Sequence, residues 1–175
     1  WILPRTEIVP GTFVEYTWKP SHRFTWVNGL RADYHNLFGA FVTPRTHLRY
    51  EITENTVLRA SAGRGQRTAS VFADNKGFMA SSRVWQFNSN VQQAAYGLRP
   101  EVSWNYGTSL MHQFKLNYRE GVISADFYRT DFQQQVVADL DVHPQRVVIS
   151  NLQGVSYSNS FQVQLDYELV KFLDI

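Results

Sequence analysis

Arg23-Phe24-Thr25-Trp26-Val27-Asn28-Gly29-Leu30-Arg31-Ala32-Asp33-Tyr34 is the stretch that decides how this chain folds. Phe24, Trp26, Asn28, Leu30, Ala32 and Tyr34 share one parity; Arg23, Thr25, Val27, Gly29, Arg31 and Asp33 share the other. Successive strand side chains point to opposite sides, so the stretch predicts a strand with one mostly apolar face and one largely polar face. Its length of about eleven residues exceeds the usual globular strand of about five or six and suits a tilted strand crossing a bilayer.

The same alternation recurs outward from this stretch. Val14, Tyr16 and Trp18 alternate with Phe13, Glu15 and Thr17; Leu48, Tyr50 and Ile52 oppose Arg45, His47, Arg49 and Glu51. Leu58, Ala60 and Ala62 oppose Arg59 and Ser61, and Leu110, Phe114, Leu116 and Tyr118 oppose Gln113, Lys115 and Asn117. Ile123, Ala125 and Phe127 oppose Ser124, Asp126 and Tyr128; Phe161, Val163, Leu165, Tyr167 and Leu169 oppose Gln162, Gln164, Asp166 and Glu168. The prediction is all-β, with about seven antiparallel up-and-down strands of a length that suits a transmembrane β-barrel.

Connection lengths orient the sheet. Lys19–His22, Thr53–Asn55 and Arg119–Gly121 read as short polar turns, whereas 35–43, 64–104 and 136–152 read as longer links. Alternate connections of an up-and-down sheet lie at opposite ends, so one end is trim and the other carries long extracellular loops, as in outer-membrane barrels. The 64–104 segment is too long for a plain connection and is expected to hold a short helix or hairpin. Trp18, Phe24, Tyr118 and Tyr167 fall toward the short-turn end, and Tyr34, Trp104, Tyr106 and Phe132 toward the loop end, the placement of two aromatic girdles.

Composition agrees. Of 175 residues, 43% are hydrophobic and 15% aromatic, which excludes disorder and favours strands and interfaces. The net charge of +2 comes from scattered residues, which argues against a nucleic-acid partner. The lack of cysteine excludes disulfide scaffolds, thiolate zinc sites and cysteine nucleophiles. No run approaches the roughly 18 apolar residues of a transmembrane helix, which excludes helical spans only.

Several residue sets invite sharper readings and yield to plainer ones. Gly63-Arg64-Gly65 lacks the third glycine and following helix of a dinucleotide fingerprint, so it is read as a strand end. The histidines at 22, 35, 47, 112 and 143 have no metal-type spacing and are read as isolated surface or lumen residues; no metal and no cofactor are assigned. Asp126, Asp166 and Glu168 are the residues that alternating polar positions supply without catalysis, and no nucleophile elbow is present. His112 and Arg129 break parity on apolar faces. A bulge or a position near the interface would account for the first, and a strand that has left the bilayer for the second.

Gly39-Ala40-Phe41-Val42-Thr43-Pro44-Arg45, then Thr56 to Arg67, then Arg99-Pro100-Glu101 with Ser103-Trp104-Asn105-Tyr106-Gly107, then Tyr128 to Val136, then Asn151 to Ser158 form an ordered set of phrases. In that order they resemble the later half of the barrel in TonB-dependent receptors, particularly the Bacteroidetes type; Gln66 departs from the aromatic common before the arginine. The resemblance implies a larger protein: a plug inside a barrel of about 22 strands, importing a scarce siderophore, other metal complex or glycan with energy passed through TonB. Residues 1–175 are then expected to be part of one β-barrel domain of a Gram-negative outer membrane, truncated at both ends and without the plug. The expected partners are outer-membrane lipid, the plug, the remaining strands, TonB through the parent, and a small ligand. Arg31, Arg49, Arg59, Arg67 and Trp85 are the candidate ligand contacts in lumen or loops. The competing reading is a soluble β-sandwich or small barrel binding a ligand or carbohydrate, in which Leu30, Ala32 and Tyr34 would be buried. A barrel enzyme would need a polar triad that no signature here supports.

Overall fold

The period-two stretches form long strands in the computed structural model, which describes residues 6–88, 95–170 and 173–174. In chain order the strands are β1 (Gly11–Ser21), β2 (Phe24–His35), β3 (Gly39–Thr53), β4 (Thr56–Arg67), β5 (Val84–Phe87), β6 (Glu101–Leu116), β7 (Arg119–Gln133), β8 (Val136–Asp139), β9 (Arg146–Asn151), β10 (Ser156–Val170) and β11 (Leu173–Asp174). A short helix, α1 (Val71–Asp74), and 3-10 turns at Lys76–Ala80 and Ala95–Gly97 lie between β4 and β6. No described helix is long and apolar enough to cross a membrane, a statement that does not bear on strands.

Seven long strands pair in the order β1-β2-β3-β4-β6-β7-β10, each antiparallel to its neighbours, and the two-residue β11 extends the edge at β10. The sheet is not closed; β1 and β11 are its edges. Among the described residues its register slips near the strand ends, between Trp18 and Ser21, between Glu51 and Thr53 and between Glu168 and Val170.

One face collects the apolar parity of every strand. Leu30 is 48% exposed and Tyr34 59%, so the side chains that a soluble sandwich would bury are open. Phe161, Val163 and Leu165 on β10 are likewise exposed. A contiguous apolar sheet face of this extent exceeds what soluble proteins leave bare. From Tyr106 to Leu116 along β6 the climb is about 25 Å, at a rise of ~3.3 Å per residue and a barrel-strand tilt of ~40°, matching an outer-membrane apolar band. Edge-to-face contacts run through Trp18, Trp26, Phe24 and Tyr50 at the short-turn end, and Trp104 stacks on Tyr106 toward the other.

Glycines let side chains meet across an intervening strand. Glu15 and Arg45 flank Gly29 and form an ion pair over it at 3.5 Å. Phe114 and Tyr167 flank Gly121 and stack with centroids 6.2 Å apart; a Cβ at Gly121 would lie 2.5 Å from Phe114 Cζ.

Several expected boundaries move. The link expected at 35–43 is a tight connection, because β2 runs to His35 and β3 starts at Gly39. The turn expected at Arg119–Gly121 is formed instead by Asn117 and Tyr118, both left-handed (φ 52° and 63°), as a two-residue hairpin with right-handed strand twist requires. Tyr118 is therefore a turn residue and not part of an outward girdle. Phe132, opposite Ser103 and Ser156, lies on the polar face, with Asp131 taking the outward position. His112 pairs with Thr56 and Ile123 without a register shift and bonds Thr56 Oγ1 at 2.9 Å, which favours the interface account over the bulge. His35 is buried, not at the surface: its Nδ1 accepts from the Leu37 amide, and its ring packs on Phe38.

The two faces carry different tolerances. For the protein folded into lipid vesicles and unfolded with denaturant, Leu110→Arg is expected to cost ~2–4 kcal/mol near the bilayer midplane. Ser124→Arg, at a similar depth on the other face with Met111 and Gln164 as cross-strand neighbours, is expected to stay within about 0.5 kcal/mol. Equal losses would contradict the face assignment.

Candidate functional site

The polar face carries its charges in register. One row runs Thr25, Arg49, Arg59, Ser109, Asp126, Gln162 across β2, β3, β4, β6, β7 and β10. The next, toward the loop end, runs Val27, His47, Ser61, Gly107, Tyr128, Ser160. Both rows line a groove of about 570 Å³. Tyr128 lies across Gly107, where a Cβ would come within 2.8 Å of its ring, so the glycine sets the groove floor.

Arg49 and Arg59 face each other directly, an arrangement that raises the electrostatic cost of the pair of strands. Arg49 is compensated by Glu51 at 2.6 Å. Arg59 has no ion pair among the described residues, and the groove's carboxylate, Asp126, lies in the same row across Ser109. A planar fork of five N–H donors suits carboxylates, phosphates and other oxyanions.

Of the expected contacts, the structure brings only Arg49 and Arg59 together. Arg31 lies on the same face nearer the loop end, with Nε held by both carboxylate oxygens of Asp33 at 2.8 and 2.9 Å. Arg67 donates to Glu101 at 2.8 Å and lies 3.3 Å from Asp74, which makes it a structural tie at the strand end. Trp85 packs on Phe72 (5.0 Å between centroids) within a loop core. His47 joins the groove, and period-two parity from Arg45 through Arg49 already carried that signal. Among the described residues no three His, Asp or Glu side chains converge as a metal site would need.

Toward the loop end, the described residues of one loop, 68–88 and 95–100, and of a second, 134–155, build one small cap. Strand β5, from the first, pairs in parallel with β9, from the second, and β8 completes a three-stranded sheet. Its core is Ala69, Val71, Leu98, Val147 and Ile149, with Phe78, Trp85, Phe87 and Tyr96 against it; Val147 and Ile149 are fully buried. The expected short helix is present as α1, while the local hairpin is replaced by pairing between loops. Two side chains fasten the cap: Asn151 ties its two loop segments to each other, and Glu101 ties it to the wall. Asn151 accepts from the Arg99 amide (2.8 Å) and donates to the carbonyls of Arg99 (3.0 Å) and Gln134 (2.8 Å). Glu101 binds Arg67 with one oxygen and accepts the Val136 amide with the other at 2.9 Å. Sequence reasoning missed both as functional residues, although each sits inside a quoted phrase.

The family described as TonB dependent receptor-like, beta-barrel, matches residues 5–173. Similar solved structures include a mutant ferric enterobactin receptor, PfeA, of Pseudomonas aeruginosa, with TM-score 0.70 and 15% identity over 96% of this chain and 25% of that one. The siderophore receptor PirA of Pseudomonas aeruginosa gives 0.66 and 16% over 96% and 30%. The copper transporter OprC gives 0.65 and 16% over 94% and 27%. At these identities the likeness concerns the fold, and this chain spans less than a third of the length of each. Comparison with curated proteins finds no match.

If Asn151 ties the two loops, Asn151→Ala removes three exposed hydrogen bonds, each contributing about 0.5–1.5 kcal/mol. Hydrogen exchange should show faster exchange at Arg99 and across β5 and β9, with β6 and β7 unchanged. Protection that stayed the same in the cap would remove the role given to Asn151.

Proposed function

The chain belongs to the TonB-dependent receptor β-barrel family, and from that premise we propose that it is the wall segment of an outer-membrane uptake receptor that helps bind a scarce, negatively charged metal chelate. The observation that carries this reading is Arg59, which makes no ion pair among the described residues, opposite Arg49 in a groove on the polar face. In an outer-membrane barrel the polar face lines the lumen and the apolar face meets lipid.

On this reading residues 1–175 belong to one barrel domain in the outer membrane of a Gram-negative cell. The remaining strands, the plug and the TonB contact come from the rest of the protein. Short turns at the β1–β2, β3–β4 and β6–β7 junctions face the periplasm, and the cap faces outward. Two of the similar structures are a ferric enterobactin receptor and a copper transporter, both in the class of metal uptake. The Bacteroidetes-type assignment is supported by the order of the sequence phrases. Arg49 and Arg59 are proposed as ligand contacts, with Arg31 next along the same face; Arg67 and Trp85 contribute through the cap. A soluble sandwich is not favoured, because Leu30 and Tyr34 are open.

The test uses the full-length receptor in outer membranes, with uptake measured over a panel of anionic ferric siderophores, neutral metal chelates and oligosaccharides, with and without TonB. The expected result is TonB-dependent uptake of an anionic chelate. Arg59→Ala should weaken its binding about tenfold, or ~1.4 kcal/mol, at unchanged receptor level. Uptake that ignores Arg59→Ala and Arg49→Ala together, or that proceeds without TonB, would overturn the proposal.

A further inference from the structure

Two arginines interrupt the apolar face. Arg129 follows Ile123, Ala125 and Phe127 on the outward parity of β7, and Arg64 follows Leu58, Ala60 and Ala62 on that of β4. Ala62 is opposite Tyr106, which is opposite Arg129; Arg64 is opposite Trp104, which is opposite Asp131. On the loop side of the row Ala60, Thr108, Phe127, Phe161, Arg129 therefore lies in the next outward row and Arg64 in the one after it. Two strand spacings and one row separate them, about 12 Å between Cα atoms at ~4.8 Å per strand and ~3.3 Å per residue.

The setting is aromatic and positive. Arg129 directs Nε and Nη2 at a single oxygen of Asp131, at 2.9 and 2.7 Å. Its Cζ lies 4.7 Å from the centroid of the Tyr157 ring, and its side chain is 41% exposed. Arg64 donates one Nη1 hydrogen to the Val42 carbonyl. Each guanidinium thus keeps further donors of its five, and Arg64, Arg129 and Asp131 together carry one net positive charge. Trp104 and Tyr106 stack between the two strands at 6.5 Å and 11°. Tyr and Trp gather where hydrocarbon meets headgroup, and Arg engages phosphate in a bidentate manner.

We propose that Arg64 and Arg129, framed by Trp104, Tyr106 and Tyr157, bind the phosphate of a lipid headgroup in the outer leaflet. The proposal rests on reading this wall as membrane-spanning, with the cap outside. Asp131 is a positioning residue that fixes the plane of Arg129. The site commits to lipid over free phosphate because it stands on the lipid face, at the upper border of Phe127 and Phe161. A headgroup held there has its acyl chains against those rings.

The experiment takes the full-length receptor into nanodiscs containing diphosphoryl lipid A or its phosphate-free form and counts retained lipid by native mass spectrometry. Retention of the phosphorylated lipid is expected, with at least a tenfold loss in R64Q/R129Q and substantial rescue in R64K/R129K. R119Q, at the opposite rim of the same face, should retain lipid as the parent does, and millimolar inorganic phosphate should not displace it. Equal retention of phosphate-free lipid, or full retention in R64Q/R129Q, overturns the site. So does displacement by inorganic phosphate, or a Mg²⁺-dependent retention that D131N alone abolishes. Ligand uptake is read in the same variants. Lipid loss with uptake intact supports the site, whereas a receptor that imports nothing yet retains lipid through these arginines would refute only the functional reading.

Discussion

The unbroken antiparallel register from β1 to β10 governs everything else in this chain. In hydrocarbon no water is available to backbone N–H and C=O groups, so each strand must satisfy them through its neighbours. The same ladder fixes side-chain parity across the whole wall. Thr25, Arg49, Arg59, Ser109, Asp126 and Gln162 align on one face, while Trp26, Leu48, Ala60, Thr108, Phe127 and Phe161 align on the other. A slip of one residue in any strand would exchange the faces, moving arginines toward lipid and rings toward water. The irregularities are confined to the ends of hairpins, where such an exchange affects few residues.

Polar atoms that do fall on the apolar face are tied to one another. Trp26 Nε1 donates to Thr46 Oγ1 at 2.6 Å, and Thr46 Oγ1 lies 2.9 Å from Asn28 Oδ1, so three polar tips close a local chain. Thr53, Thr56 and His112 do the same near the short-turn end, and Tyr167 donates to the Leu116 carbonyl. An unsatisfied polar group shielded from water costs about 1–3 kcal/mol, enough to account for the pairing of these tips. Cross-strand contacts over Gly29 and Gly121 solve the complementary problem, letting long side chains on second-neighbour strands touch.

The wall was legible in the sequence because period two survives over ten or more residues, and face membership follows from parity alone. Strand ends were less legible. Arg119-Glu120-Gly121 has turn-like composition, yet the hairpin needs two left-handed residues and finds them at Asn117 and Tyr118. Phe132 was misplaced for a similar reason, since an aromatic near a strand end suggests a girdle when its parity says otherwise. The groove was half visible: Arg49 and Arg59 could be assigned to the polar face, but their direct opposition depends on the β3–β4 register. Of the cap, only the long loop and its short helix α1 were visible. Its parallel β5–β9 pairing joins segments far apart in sequence, and no local pattern encodes a partner at that distance.

That cap also explains why the recognisable phrases recur in a fixed order. Arg67, Arg99, Glu101, Gln134, Val136 and Asn151 come from four of them and meet at the junction between wall and loops. Arg67 and Arg59 share a face of β4, so the clasp and the groove are built on one strand. A strand held in register on both sides cannot slide to relay a change, because sliding would flip its faces. Relative movement of cap and groove must therefore be taken up beyond the strand ends, in the segments after Arg67 and Gln133 and before Glu101 and Ser156. Those are the positions at which Glu101 and Asn151 act, which makes the clasp the point where the rigid wall ends and adjustable structure begins.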